Sequence, residues 1–121
     1  MIFVLQYQKV INMNIEMIET LKKLENVQVV AVSKTRTKEE IDEVAKLGLT
    51  TFGENKVQEF VEKYDPKYKW HIIGHLQTNK VKYIVGKVDV IESLDSVKLA
   101  KEIEKQASKH NVIQECYVQI K

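Results

Sequence analysis

Lys34 follows directly on Val27-Gln28-Val29-Val30-Ala31-Val32-Ser33, a nearly unbroken run of β-branched and small residues. Such a run suits a strand buried on both faces. A lysine that closes it lays its stem over apolar walls. Desolvation there disfavours the ammonium form, lowers the pKa and leaves an amine that attacks carbonyls. Schiff-base lysines work in this way. The plainer alternative is a solvated surface amine. The 19 basic residues include a single arginine, Arg36, so the other 18 are lysines, and most of them must be of that ordinary kind.

Three further residues have chemistry to offer. His75 follows Gly74, where backbone approaches a ligand closely, and its ring can stack on or hydrogen-bond another ring. Asn55 carries a donor and an acceptor without charge; its alternative role is to satisfy backbone groups at a helix start. Ser93 has the same two readings, as do Asp95 and Ser96, with capping favoured for Asp95. His71 falls within a strand and His110 at a helix end, and both read as packing or surface residues. Glu54 and Glu59 read as surface partners for lysines. Arg36, just beyond Lys34, either binds an anion or faces solvent. The three histidines have no metal-ligand spacing, and no metal site is expected.

The elements that position these groups alternate. Strand character recurs at Val27 to Ser33, Thr50 to Phe52, Trp70 to Ile73, Val88 to Ile91 and Gln114 to Ile120. Helical patterns lie around and between them. One covers Asn14 to Leu24 with Ile15, Ile18 and Leu21. A second opens on the capping box Thr37-Lys38-Glu39-Glu40, continues through Ile41, Val44 and Ala45, and stops at Gly48. A third runs from Glu54 to Lys63 with Val57, Phe60 and Val61 on one side. A fourth spans Gln77 to Val85 with Val81, Ile84 and Val85. A fifth is capped by Asp95 or Ser96 and lined by Val97, Ala100, Ile103 and Ala107. Strand starts roughly 20 residues apart, with helices between, mean βαβ units and a parallel sheet.

Two architectures fit this alternation, a doubly wound open sheet and a (β/α) barrel. A full barrel takes about 200 to 250 residues, so 121 residues supply about half of one. In both architectures ligands bind beyond the C-terminal strand ends. The segments in that position are Ser33-Lys34-Thr35-Arg36, Gly53-Glu54-Asn55, Gly74-His75-Leu76-Gln77 and Glu92-Ser93-Leu94-Asp95, and topology brings all four to one rim.

Composition narrows the function classes. The chain is 44% hydrophobic and 30% charged, which is globular rather than disordered material. A net charge of +2, with lysines interleaved with acids, lacks the clustered basic patch of a nucleic-acid binder. One cysteine, Cys116, rules out an internal disulfide and a cysteine zinc site. The apolar start Met1 to Leu5 is too short for a membrane span and has no cleavage pattern, so a cytoplasmic protein is expected. There is no GxGxxG, P-loop or nucleophile elbow.

Four segments together resemble one family. Val30-Ala31-Val32-Ser33-Lys34-Thr35, Phe52-Gly53-Glu54-Asn55 with Val57-Gln58-Glu59, Trp70 through Lys80 (WHIIGHLQTNK), and Ser93-Leu94-Asp95-Ser96 have the order and spacing of the pyridoxal phosphate homeostasis protein family of the YggS/PROSC type. The likeness spans residues 15–121. It implies an α/β fold, a (β/α) TIM-type barrel of PLP fold type III, similar to the N-terminal domain of alanine racemase. About its first half, four to five βα units, would be present as a single partial domain over 1–121, with 1–12 unassigned. It further implies pyridoxal 5′-phosphate (PLP) held as an aldimine on Lys34 and bordered by Asn55, His75 and, more weakly, Ser93. The role implied is PLP (vitamin B6) homeostasis without established catalysis.

Two departures are Lys56, where an aromatic residue is common, and Glu92 before the Ser-Leu-Asp run. The family's phosphate-binding serine and glycine-rich segments fall beyond residue 121. A half barrel has two open sheet edges and an uncovered inner face, so the chain is expected to be a fragment, one piece of a split barrel, or a self-associating unit. The alternative functions are part of a PLP-dependent racemase or decarboxylase, and a truncated half barrel that self-associates without PLP.

Overall fold

The computed structural model describes the backbone of residues 7–120 and the side chains of residues 15–120. The opening helix α1 (Tyr7–Lys22) leads into β1 (Ala31–Val32), α2 (Lys38–Lys46), β2 (Thr51–Glu54), α3 (Val57–Lys63) and β3 (Lys69–Ile72). A 3₁₀ helix (Thr78–Tyr83), β4 (Val90–Leu94), α4 (Val97–His110) and β5 (Glu115–Val118) complete the order. Helix α1 starts inside the segment that the sequence left unassigned.

All five strands pair in parallel, in the order β1-β2-β3-β4-β5. This order separates the two architectures. A doubly wound sheet reverses direction at a switch point and places helices on both faces. Right-handed crossovers that always step the same way put every connecting helix on one face. The winding is therefore of the barrel type, and β1 and β5 are the edge strands of the described sheet.

Local chemistry explains the elements. Thr37 caps α2: its hydroxyl accepts from the Glu40 amide at 3.1 Å, while the Glu40 carboxylate accepts from the Thr37 amide at 3.0 Å. Gly48, at φ +112°, takes the left-handed turn that follows this helix. Ser96 caps α4 by accepting from the Leu99 amide, and Asn111 closes it with φ 54° and ψ 48°.

The core lies between sheet and helices. Phe52, Phe60 and Trp70 are fully buried and meet edge to face or tilted, with Tyr64 and Tyr68 beside them. Each such side chain contributes roughly 1.5–3 kcal/mol by leaving water. The Trp70 indole N–H is satisfied by the Asp65 carbonyl at 2.9 Å.

Several expected boundaries move. The first strand is shorter than Val27 to Ser33, because only Ala31 and Val32 have a paired neighbour, in β2. Strand β2 runs on to Glu54 and β4 to Leu94, so Gly53, Glu54 and Ser93 are strand residues and not loop residues. Helix α3 accordingly starts at Val57. In α4 the buried face is Leu99, Ile103, Gln106 and Ala107, while Val97 is exposed. In α3 Val61 is exposed and Lys63 is buried. Phe60, Ile103 and Ala107 are buried as expected, and Val57 packs against the core; the exceptions are Val61 and Val97, since a valine off the contact stripe scores like one on it.

Candidate functional site

Lys34 stands two residues beyond the last residue of β1. The register pairs Val32 with Gly53, and Glu54 with Ile72. Continued along the strands, it sets Lys34 level with Asn55 and Asn55 level with Ile73, so three strand ends form one rim. Lys34 is exposed. Among the described residues β1 has a neighbour on one side only, and they do not enclose the stem in the apolar walls expected around it.

The backbone on either side of Lys34 is tightly held. The Ser33 amide donates to the Gly53 carbonyl at 3.0 Å, and the Arg36 amide donates back to the Ser33 carbonyl at 3.1 Å. Thr35 has φ 62°, in the left-handed region that a β-branched residue rarely occupies. Its amide donates to Glu59 Oε2 at 2.8 Å. Arg36 ion-pairs with Glu40 at 3.6 Å in the first turn of α2.

Asn55 and His75 come together. They line one groove at the rim with Lys56, Gln77 and Lys80. Gly74 allows this: a Cβ there would lie 2.9 Å from the Asn55 carbonyl oxygen and 3.0 Å from its Cα. Only glycine lets the two loops approach so closely. His75 is exposed, whereas Ser93 is buried in β4, and its Oγ finds no hydrogen-bond partner among the described residues. Lys34 does not line the groove that holds Asn55 and His75.

Two polar arrangements escaped the sequence reading. The first lies under Lys34. Lys63 is buried, and its ammonium donates to the Ser33 carbonyl at 2.9 Å, to Glu54 Oε2 at 3.1 Å and to Glu59 Oε2 at 2.9 Å. The Ser33 hydroxyl donates to the same Glu54 oxygen at 2.5 Å. Glu54 is fully buried, which corrects its reading as a surface residue. Burial raises its pKa against the pull of Ser33 and Lys63. Glu59 is held below the usual carboxylate range, first by the Thr35 amide and then by Lys63. The only local signal was the Glu59–Lys63 spacing of four on one helix. The link to Ser33 and Glu54 crosses 30 and 9 residues.

The second pairs His71 Nδ1 with Glu92 Oε2 at 2.6 Å. His71 pairs in register with Gly53 and follows Trp70, which packs into the helix-covered core, so alternation puts it on the opposite, inner face of the sheet. Among the described residues no group of histidine, cysteine and carboxylate side chains could hold a metal ion.

Comparison with known proteins decides the family. No family model matches the chain. The pyridoxal phosphate homeostasis protein of Aquifex aeolicus is 47% identical over 97 residues, covering 77% of this chain and 42% of that protein. The chain belongs to the pyridoxal phosphate homeostasis protein family. The bovine homeostasis protein is 42% identical over 86 residues, 63% of this chain and 32% of its own length. Among solved structures, PipY of Synechococcus elongatus PCC7942, determined with PLP bound, superposes with a TM-score of 0.81 at 34% identity, covering 88% of this chain and 54% of PipY. A protein from Bifidobacterium adolescentis superposes at 0.69 with 28% identity. The chain thus spans about half the length of the homeostasis relatives it matches, or less. The parallel α/β sheet is that of PipY. No helix among the described residues is long and apolar enough to cross a membrane.

Proposed function

We propose that this chain is a PLP-binding component of vitamin B6 homeostasis, cytoplasmic and without a catalytic cycle of its own. In this reading the cofactor is held as a Schiff base on Lys34, within one partial barrel domain formed by residues 1–121. The observation that carries it is the place of Lys34: an exposed amine at the C-terminal rim of a parallel sheet whose fold is shared with a PLP-bound relative.

The residues present fit such a ligand. Lys34 supplies the primary amine that condenses with an aldehyde, releasing one water. Asn55 brings an amide and His75 an imidazole to the neighbouring strand ends, close together because Gly74 leaves room. Asn55 orients by hydrogen bonding and His75 by stacking or hydrogen bonding. Ser93 is the weaker member, and its unpartnered hydroxyl has bonding capacity to spare. The bound group would supply an electron-accepting ring, and nothing in this reading requires the chain to use it for turnover.

The test is titration of the chain with PLP, followed by borohydride reduction and peptide mapping. An aldimine absorbance band should appear, the trapped adduct should map to Lys34, and both should vanish in Lys34→Ala. Equal binding by Lys34→Ala and the parent chain would end the assignment. His75→Ala and Asn55→Ala should weaken binding while leaving the adduct on Lys34.

A further inference from the structure

We infer that Glu59 and Lys63 of α3 are positioning residues for the Lys34 amine, acting on the backbone that carries it. This rests on the reading of Lys34 as the PLP-bearing residue and extends it to two side chains that do not line the rim groove.

Lys34 is flanked by two residues, and each is tied to the same ammonium. On one side the Ser33 carbonyl accepts directly from Lys63 at 2.9 Å. On the other, the Thr35 amide donates to Glu59 Oε2 at 2.8 Å, and that same oxygen accepts from Lys63 at 2.9 Å. Glu54 completes the arrangement from below, holding both Lys63 and the Ser33 hydroxyl. The Lys34 side chain takes no part in any of these bonds.

The conformation held is one the chain would not keep unaided. A threonine at φ 62° lies in a region disfavoured for a β-branched residue, and it persists where surrounding contacts over-determine it. Holding α3 against the sheet would not require this: the Lys63–Glu54 pair and the buried Phe60 already do so. The bond to the Thr35 amide serves only the turn that follows Lys34. An amine on a backbone fixed at both neighbours reaches a bound aldehyde with less freedom to lose than one on a free loop. Lys63 suits the task as a compact charge with three donors, each used here on a different acceptor.

The experiment compares the full chain with Glu59→Ala, Glu59→Gln and Lys63→Met. Asn111→Ala, which alters the remote C-terminal cap of α4, controls for general loss of stability. Two quantities are read: hydrogen exchange of the Thr35 amide without cofactor, and the rate of borohydride-trapped adduct formation on Lys34 with PLP. Glu59→Ala should expose the Thr35 amide and slow adduct formation by about tenfold, the scale of one lost charge-assisted hydrogen bond. Glu59→Gln keeps an acceptor for that amide and should recover part of the rate. Asn111→Ala should leave both readouts unchanged. Should Lys63→Met fail to fold, the Glu59 pair decides. Parent-like rates in Glu59→Ala, or an equal slowing in Asn111→Ala, would overturn the positioning role while the PLP reading stands. Absence of any Lys34 adduct in the parent chain would overturn both.

Discussion

Replacing Lys63 with methionine keeps the length and apolar stem of the side chain and removes one buried charge. Three acceptors lose their donor: the Ser33 carbonyl, Glu54 Oε2 and Glu59 Oε2. Breaking a buried ion pair by deleting one partner costs about 3–5 kcal/mol, because the other charge stays desolvated. Here the cost divides unequally. Glu59 is 26% exposed and recovers water, whereas Glu54 is 0% exposed and cannot. The penalty therefore falls on Glu54, whose pKa is already raised by burial.

A carboxyl raised on folding contributes stability below its unfolded pKa and loses it as pH climbs through the folded value. Without Lys63 the folded value rises further, and the loss extends to higher pH. The expected destabilisation is about 3 kcal/mol near neutrality, the low end of that range. Toward pH 5 it should shrink to about 1 kcal/mol, the scale of a lost hydrogen bond once Glu54 carries a proton. At roughly 3–5 °C per kcal/mol for a chain of this size, the neutral-pH change lowers Tm by about 10 °C. Urea unfolding followed through Trp70, the single tryptophan and fully buried, reads both values. The double variant Glu54→Gln/Lys63→Met should regain at least ~1 kcal/mol over Lys63→Met alone, as residues sharing a network do. A difference below ~1 kcal/mol at neutral pH, or one that does not change between pH 5 and pH 8, would refute the assignment of cost to a charged, buried Glu54.

Three other outcomes follow from the same structure. Glu59 is held low by the Thr35 amide and Lys63, so it adds stability above its unfolded pKa that is lost as pH falls through the depressed value. Glu59→Gln should flatten the acid limb of the stability profile, measured by melts from pH 3 to about 6 across the ordinary carboxylate range. Gly74→Ala places a methyl 2.9 Å from the Asn55 carbonyl oxygen, against backbone rather than a yielding side chain. It should cost about 1–3 kcal/mol in urea unfolding, and it should weaken PLP binding by displacing Asn55 from His75. Thr37→Ala removes one half of the capping box of α2 and should cost ~1 kcal/mol; an unchanged urea midpoint would count against the cap.

The sequence by itself determined what depends on neighbours along the chain. The alternation of short β-branched runs with helical stretches predicted the βα order. The Thr37–Glu40 capping box and the stop at Gly48 concern bonds within a few residues, and they appear as expected. The placing of Lys34, Asn55 and His75 at strand ends was legible for the same reason, and the motifs around them carried the family. Tertiary structure decided what depends on contacts across the chain. The step direction from strand to strand chose barrel-type winding over the doubly wound alternative, a choice that periodicity cannot express. Partners 9 to 30 residues apart turned Glu54 and Lys63 from apparent surface charges into a buried pair. Charge type says nothing of burial when the compensating group arrives from another element. Lys34 went the other way. A run of β-branched residues promised enclosure, but among the described residues β1 has a neighbour on one side only, and the lysine just beyond it is exposed.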